Sequence, residues 1–366
     1  MASVPSPTDL DPLARARSLL DENRPAEAAS VLKRLIESGR AGLLARVQFV
    51  RALAAANDIN SALEVARETS VLFPAAAAAA LGLGEVLLKA GQLPASIAEF
   101  QRALRIDPRL NEARYRLGLA WLEAGEPDKA LHAFQEIEPE EGSRDIAARI
   151  AQAERMQTAP RSSPNYVRHL FDQFSADYDV RMLGQLAYAA PRILRELMGM
   201  VMARTAKSSL DILDLGCGTG LAGAEFRPLA RRLDGVDLSP AMIGKARARG
   251  IYEALQVADI EAVPFAGPYD LAIAADTLVY LGDLAPVFRS LHGKLKPDGY
   301  FLFTVEADTE ADYALGPKRR WRHSEAYLRR QADCSGFEVA GLLACSPRRE
   351  AGIPVPGFAV ALRKAV

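Results

Sequence analysis

Cysteine is scarce in this chain. Cys217, Cys334 and Cys345, three in 366 residues, offer no zinc-type spacing and no dense disulfide framework. A reducing, cytoplasmic setting is therefore expected, with no metal site. Charge of one sign is lacking as well: 45 Lys and Arg face 46 Asp and Glu, a formal net charge of −1. That balance carries no electrostatic footprint for nucleic acid. Long hydrophobic runs are absent too. The most apolar stretch, residues 73–88, is alanine-rich, contains Glu85 and reads as a helix rather than a membrane span. The first 12 residues hold no apolar signal core and read as a disordered tail. Histidine is limited to His132, His169, His292 and His323, which narrows the choice of general bases. One local charge cluster, Lys318-Arg319-Arg320-Trp321-Arg322, reads as a solvated surface run, with an anionic-substrate site as the alternative.

The N-terminal half is periodic. Asn23, Asn57, Gly91 and Gly125 recur every 34 residues, each between two helical patterns. Ala28, Ala62, Ser96 and Ala130 follow as small residues where helices cross, then Leu32, Ala66, Phe100 and Phe134 as core. Pro74 and Pro108 close the second and third units. This pattern resembles the tetratricopeptide repeat, best matched in residues 77–142, with a degenerate first unit. The resemblance implies about four stacked repeats and a groove for a protein or peptide; the alternative is a scaffold that docks or dimerises. A break at Pro139-Glu140-Glu141-Gly142 precedes one more helical stretch, residues 143–157. The Pro/Ser-rich segment 158–164 is the expected boundary, giving domains 1–158 and 159–366.

From Asn165 onward, strand and helix patterns alternate, which predicts an α/β domain with a mostly parallel sheet. Strands are expected at 211–215, 232–237, 254–257, 269–274, 299–306, 337–344 and 357–362. Helices are expected near 167–177, 187–203, 220–231, 240–249, 283–295 and 323–335. The last two strands lack a crossover helix between them, so they should pair antiparallel.

Gly216-Cys217-Gly218-Thr219-Gly220 follows the first strand and lets the backbone lie bare against a ligand. Where a dinucleotide fingerprint would need a further glycine, this chain has Leu221. Asp214 ends the first strand, as a ligand-facing carboxylate or a turn cap, and Asp237 ends the second, where it can accept two ribose hydroxyls. Ser239-Pro240 then opens a helix. With Asp259-Ile260, the loop 275–281 and Lys296-Pro297-Asp298-Gly299, the order of elements resembles class I S-adenosylmethionine-dependent methyltransferases, over about 165–366. That resemblance implies a seven-stranded Rossmann-like fold with S-adenosylmethionine as cofactor. It assigns cofactor contacts to Tyr178, Asp214, Gly216, Cys217, Gly218, Gly220, Asp237, Leu238, Met242, Asp259, Ile260, Ala275 and Asp276. Asp259 would meet the exocyclic amine of adenine and Ile260 its ring. Residues 166–179 resemble the lid of small-molecule C- and O-methyltransferases, in which an aromatic at Phe171 or Tyr178 closes over the sulfonium.

For catalysis His323, Tyr280 and His169 are the candidates, because each could face an acceptor: His169 from the lid, His323 from the end of the basic cluster and Tyr280 from the strand-four loop. No Asn/Asp-Pro-Pro-Tyr motif and no glutamate double loop is present, which disfavours planar nitrogen acceptors. Oxygen, carbon, sulfur or carboxylate acceptors remain, with Arg319, Arg320 or Arg322 as anion anchors. The whole chain resembles predicted bacterial methyltransferases that carry tetratricopeptide repeats. Two readings of function follow: methyl transfer to a small-molecule or carrier-bound acceptor recruited by the repeats, or a repeat adaptor whose second domain binds cofactor without turnover.

Overall fold

The computed structural model describes residues 11–137, 144–202, 209–316 and 319–365. The 139–142 break, Lys318 and all but the last two residues of the expected N-terminal tail lie outside that set. The chain divides into two compact units, Met1–Thr158 and Ala159–Val366.

The first unit is helical: α1 (Pro12–Asp21), α2 (Pro25–Glu37), α3 (Leu43–Ala55), α4 (Ile59–Leu72), α5 (Ala77–Lys89), α6 (Leu93–Ile106), α7 (Asn111–Glu123), α8 (Pro127–Gln135) and α9 (Arg144–Thr158). The 34-residue period has a backbone cause. Asn23, Asn57, Gly91 and Gly125 adopt left-handed φ of 57°, 63°, 72° and 67°. In each case the next N–H, from Arg24, Asp58, Gln92 or Glu126, bonds five residues back to Leu19, Leu53, Leu87 or Trp121 at 2.8–3.0 Å. This Schellman-type closure satisfies the last carbonyls of one helix and reverses the chain into the next. Ala28, Ala62, Ser96 and Ala130 are fully buried, and Leu32, Ala66, Phe100 and Phe134 are at most 2% exposed. Gly84 and Gly118 allow the closest helix approach, since a β-carbon there would stand 2.6 Å and 2.4 Å from the Phe100 and Phe134 rings. A groove of about 650 Å³ crosses α3, α5 and α7, where Arg51, Lys89, Arg116, Glu85 and Glu112 alternate with Val50, Ala54, Val86 and Leu88.

The second unit runs α10 (Pro164–Phe174), α11 (Tyr178–Val180), α12 (Ala190–Val201), β1 (Leu210–Leu215), α13 (Leu221–Phe226), β2 (Ala230–Asp237), α14 (Pro240–Ala248), β3 (Ala254–Val257), β4 (Tyr269–Ala274), α15 (Ala285–His292) and β5 (Leu295–Ala307). It continues with β6 (Tyr313–Leu315), β7 (Trp321–His323), α16 (Glu325–Cys334), β8 (Phe337–Cys345), β9 (Arg349–Glu350), β10 (Ile353–Pro354) and β11 (Gly357–Lys364). The main sheet has the order β3-β2-β1-β4-β5-β11-β8. Strands β1 to β5 are parallel, and β11 pairs antiparallel with both β5 and β8. The central strand β1 is buried along its whole length, as a strand covered on both faces must be.

Three expectations change in detail. The helix after the glycine loop ends at Phe226 instead of 231, because β2 begins at Ala230. The sheet gains β7 beside the end of β5 and β6 beside β7. The basic cluster therefore does not form a solvated run: Trp321 and Arg322 are strand residues, and Arg320 turns inward toward Glu306 and Glu350.

Candidate active site

Parallel register brings the carboxyl ends of β1, β2 and β4 to one edge of the sheet. Asp214 lies across from Gly235 and Ile273, and Asp237 from Val257. The loops leaving these strands line a cleft that includes Gly216, Gly218, Asp237, Asp259, Ile260 and Asp276. Leu238, Ala275, Tyr178 and Tyr280 complete the part of the wall foreseen from the sequence.

In the glycine loop, Gly216, Gly218 and Gly220 have φ of 63°, 54° and 91°, a conformation costly for other residues. A β-carbon on Gly216 would strike Thr277 at 2.3 Å, whereas Gly218 has no atom within 4 Å of that position and faces the open cleft. Asp237 is 8% exposed. One of its oxygens accepts the Gly218 N–H at 2.9 Å and the other the Ser239 N–H at 2.8 Å, so each keeps a lone pair. Burial pushes its carboxyl up to about 6, against those two N–H groups. Asp214 accepts the Tyr252 hydroxyl at 2.7 Å through one oxygen; the other is buried without a hydrogen-bond partner. Burial raises this carboxyl to about 7.

Asp214 does not line the cleft, and three other foreseen residues likewise stand behind its wall. Cys217 packs its thiol among Ile243, Ala246, Tyr252 and Leu255. Met242 is fully buried at the start of α14, where its N–H is capped by Ser239 Oγ at 3.0 Å. Gly220 caps α13 against Arg249 and Tyr252.

The lid α10–α11 is tied down at two points the motifs did not reveal. Asp172 accepts the Ser239 hydroxyl and, at 3.4 Å, the Ala241 N–H. Asp179 takes both the Thr219 hydroxyl and the Arg249 guanidinium, and Arg249 also donates to the Thr219 carbonyl. A third tie comes from Arg161, whose guanidinium pairs with Asp259 at 2.8 Å and with Glu261. Its backbone bridges to Leu281 while Ser162 N–H bonds the Tyr280 carbonyl at 2.8 Å.

Phe171 stands edge-on to Tyr178 and Tyr280, with centroids 6.0 Å and 5.5 Å away. These rings and Asp276 separate the cleft from a second chamber of about 410 Å³ under α10 and the turn after it. Burial holds both tyrosine hydroxyls protonated, Tyr280 being pushed up to about 12 and Tyr178 higher still. Asp276 sits at φ 57°, an unusual conformation for a residue with a side chain. Its carboxylate binds Arg348, which is completely buried and also holds Glu306 and Glu350.

The histidines are not brought to this junction. His323 is fully buried in β7; its Nε2 lies 3.0 Å from the Gly282 carbonyl and its ring stacks on Tyr327. Burial lowers it to about 4, so it is neutral and packed as core, which corrects the expectation that it faces an acceptor. His169 is half-buried on α10 and lines neither cavity. Arg161, Asp172, Asp179 and Arg348 escaped sequence reasoning because each acts through a partner at least 40 residues away.

A family model described as a methyltransferase domain matches residues 213–303, and tetratricopeptide-repeat models match 47–111 and 112–138. Methyltransferase-like protein 27 of Homo sapiens is 38% identical over 101 residues, 27% of this chain and 40% of that protein. A malonyl-[acyl-carrier protein] O-methyltransferase of Pseudescherichia vulneris is 29% identical over 118 residues, 32% of this chain and 47% of that one. The chain thus spans less than half the length of either relative. Among solved structures, the 1,6-didemethyltoxoflavin-N1-methyltransferase of Burkholderia thailandensis aligns with TM-score 0.45 at 19% identity, over 57% of this chain and 93% of its own.

Proposed function

We propose that the methyltransferase domain of this chain binds S-adenosylmethionine in the cleft and transfers its methyl group to an acceptor, and that the tetratricopeptide repeats recruit the protein or carrier that presents this acceptor. The observation that carries the cofactor reading is the pairing of a bare glycine turn with the lid above it. At the N-terminus of α13, where a dinucleotide would place its pyrophosphate, the lid sets the Asp179 carboxylate on Thr219. Held there by Arg249 as well, this carboxylate takes the place a pyrophosphate would fill, whereas a phosphate-free nucleoside needs no anion site at that helix end. Asp237, with one free lone pair on each oxygen, suits the two ribose hydroxyls. Gly216 and Gly218 leave bare backbone for the amino-acid end, Asp259 and Ile260 suit adenine, and the rings of Phe171, Tyr178 and Tyr280 suit a sulfonium.

When bound, the sulfonium supplies an activated methyl group. The chain's own part is positional. Asp237 and the glycine loop hold the nucleoside, the three ring faces and Asp276 set the line between cleft and chamber, and the pinned lid keeps water out. Such alignment can supply roughly 7–11 kcal/mol of a displacement barrier. In the repeats, the mixed apolar and charged lining of the groove over α3, α5 and α7 suits an amphipathic protein surface or peptide as the presented partner.

Calorimetric titration with S-adenosylmethionine and with NAD separates the cofactor readings. Micromolar binding of the former and none of the latter is expected; the reverse result would sink the proposal.

A further inference from the structure

Phe171, Tyr178, Asp276 and Tyr280 line both the cleft and the chamber, so a methyl group handed from one to the other passes them. Asp276 is the one carboxylate at that junction. Its backbone sits at φ 57°, its N–H donates to Thr304 Oγ1 at 2.8 Å, and its Oδ1 takes the Arg348 guanidinium. The side chain is 8% exposed, and Oδ2 accepts no hydrogen bond among the described residues. A side chain over-determined in an unusual backbone conformation, with one polar atom left unused, is typical of a working group.

The charges around it do not cancel. Asp276, Glu306 and Glu350 share Arg348 and Arg320, three carboxylates against two guanidiniums. Arg181, on the chamber wall, is an exposed lid residue lying over the Phe174 ring. The junction therefore repels an anionic acceptor, and an ammonium would face the sulfonium. A neutral acceptor that still carries its proton meets neither penalty.

Such an acceptor needs somewhere to leave its proton. Burial keeps Tyr178 and Tyr280 protonated, and neither His169 nor His323 lines the chamber. Burial also raises Asp276 above the ordinary carboxylate range, against the pull of Arg348 and Arg320. A carboxylate so placed accepts a proton more readily than one in water.

Resting on the methyl-transfer reading, we propose that Asp276 is the general base of the transfer and that the chamber takes a neutral, phenol- or enol-type hydroxyl on an apolar body. The hydroxyl oxygen forms the new bond to the methyl carbon while its proton passes to Asp276 Oδ2. The methyl–sulfur bond breaks, and its electron pair stays on sulfur. The products are a methyl ether, S-adenosylhomocysteine and protonated Asp276, which returns its proton to solvent. A carboxylate and a sulfonium thereby become two neutral groups, a change that a site of low dielectric favours.

The test uses the full chain saturated with S-adenosylhomocysteine, whose binding is first measured by calorimetry. β-Naphthol and its methyl ether are then titrated. The naphthol should bind about tenfold tighter, because only it can donate to the carboxylate. Its excited state gives its proton to an adjacent base, so the bound naphthol should emit mainly as naphtholate. In D276N the side chain cannot take a proton, and asparagine tolerates the left-handed backbone. Emission there should return to the neutral form, with thermal unfolding and S-adenosylhomocysteine binding measured on the same sample. Equal binding of naphthol and ether, absence of naphthol binding, or neutral-form emission from the native complex overturns the assignment without recourse to a variant. Naphtholate emission unchanged in a folded D276N overturns it as well. Failure of S-adenosylhomocysteine itself to bind overturns the cofactor reading instead.

Discussion

Asp237 and Asp214 place two carboxylates in surroundings that favour their neutral forms, at about 6 and about 7. Both values lie above the ordinary carboxylate range, so the folded, cofactor-free domain holds more protons than the unfolded chain between about pH 4 and 7. Its stability should therefore fall as pH rises through that window, which thermal unfolding of the free protein can follow. Cofactor binding should move the opposite way. A cationic ligand needs ionised carboxylates, so S-adenosylmethionine affinity should drop between pH 7.5 and 5, with the midpoint between 6 and 7. In Asp237→Asn the lower part of that dependence should vanish; a pH profile matching the native one would remove Asp237 from the site. If Asp237 holds the ribose as proposed, Asp237→Ala removes two hydrogen bonds to a charged group, and at about 1.5–3 kcal/mol each the affinity should weaken at least tenfold.

At the scale of elements, the lid and the repeat helices make separate predictions. The contact of Asp179 with Thr219 and Arg249 fastens α11 over the glycine loop. Asp179→Ala should speed cofactor release about three- to tenfold, as expected for loss of roughly 1 kcal/mol from a partly exposed ion pair. Stopped-flow displacement measures this, and an unchanged release rate would mean that the latch does not govern exit. In the repeat array, Gly118→Ala drives a β-carbon into Phe134, a buried ring that has little room to give. A destabilisation of about 1–3 kcal/mol is expected from overpacking of this kind. Denaturant unfolding followed by Trp121 fluorescence, in the same helix, would report it.

For the whole molecule, each compact unit carries hydrophobic clusters of its own. Residues 159–366 produced alone should keep S-adenosylmethionine affinity within about threefold, because the elements that line the cleft all lie in that unit. Methylation of a protein- or carrier-presented acceptor should be lost if the repeats recruit it. A truncated chain that labels extract as well as the full one would reduce the repeats to a scaffold. What the sequence determined by itself is local in origin. A 34-residue period reports left-handed closures that favour Asn or Gly, and a glycine turn between an apolar run and a helix reports where a backbone must lie bare. Acidic residues at the ends of parallel strands report one edge of a sheet. Tertiary structure decided what those signals cannot carry: that His323 is core, that Arg320 turns inward, that Arg161 and Arg348 hold the cleft's acids, and that Asp179 fastens the lid. These are pairings of single charged side chains across long stretches of chain. Such a residue has no periodicity or turn geometry to announce its partner, and only packing makes an arginine a surface solvator or the counter-ion of buried carboxylates.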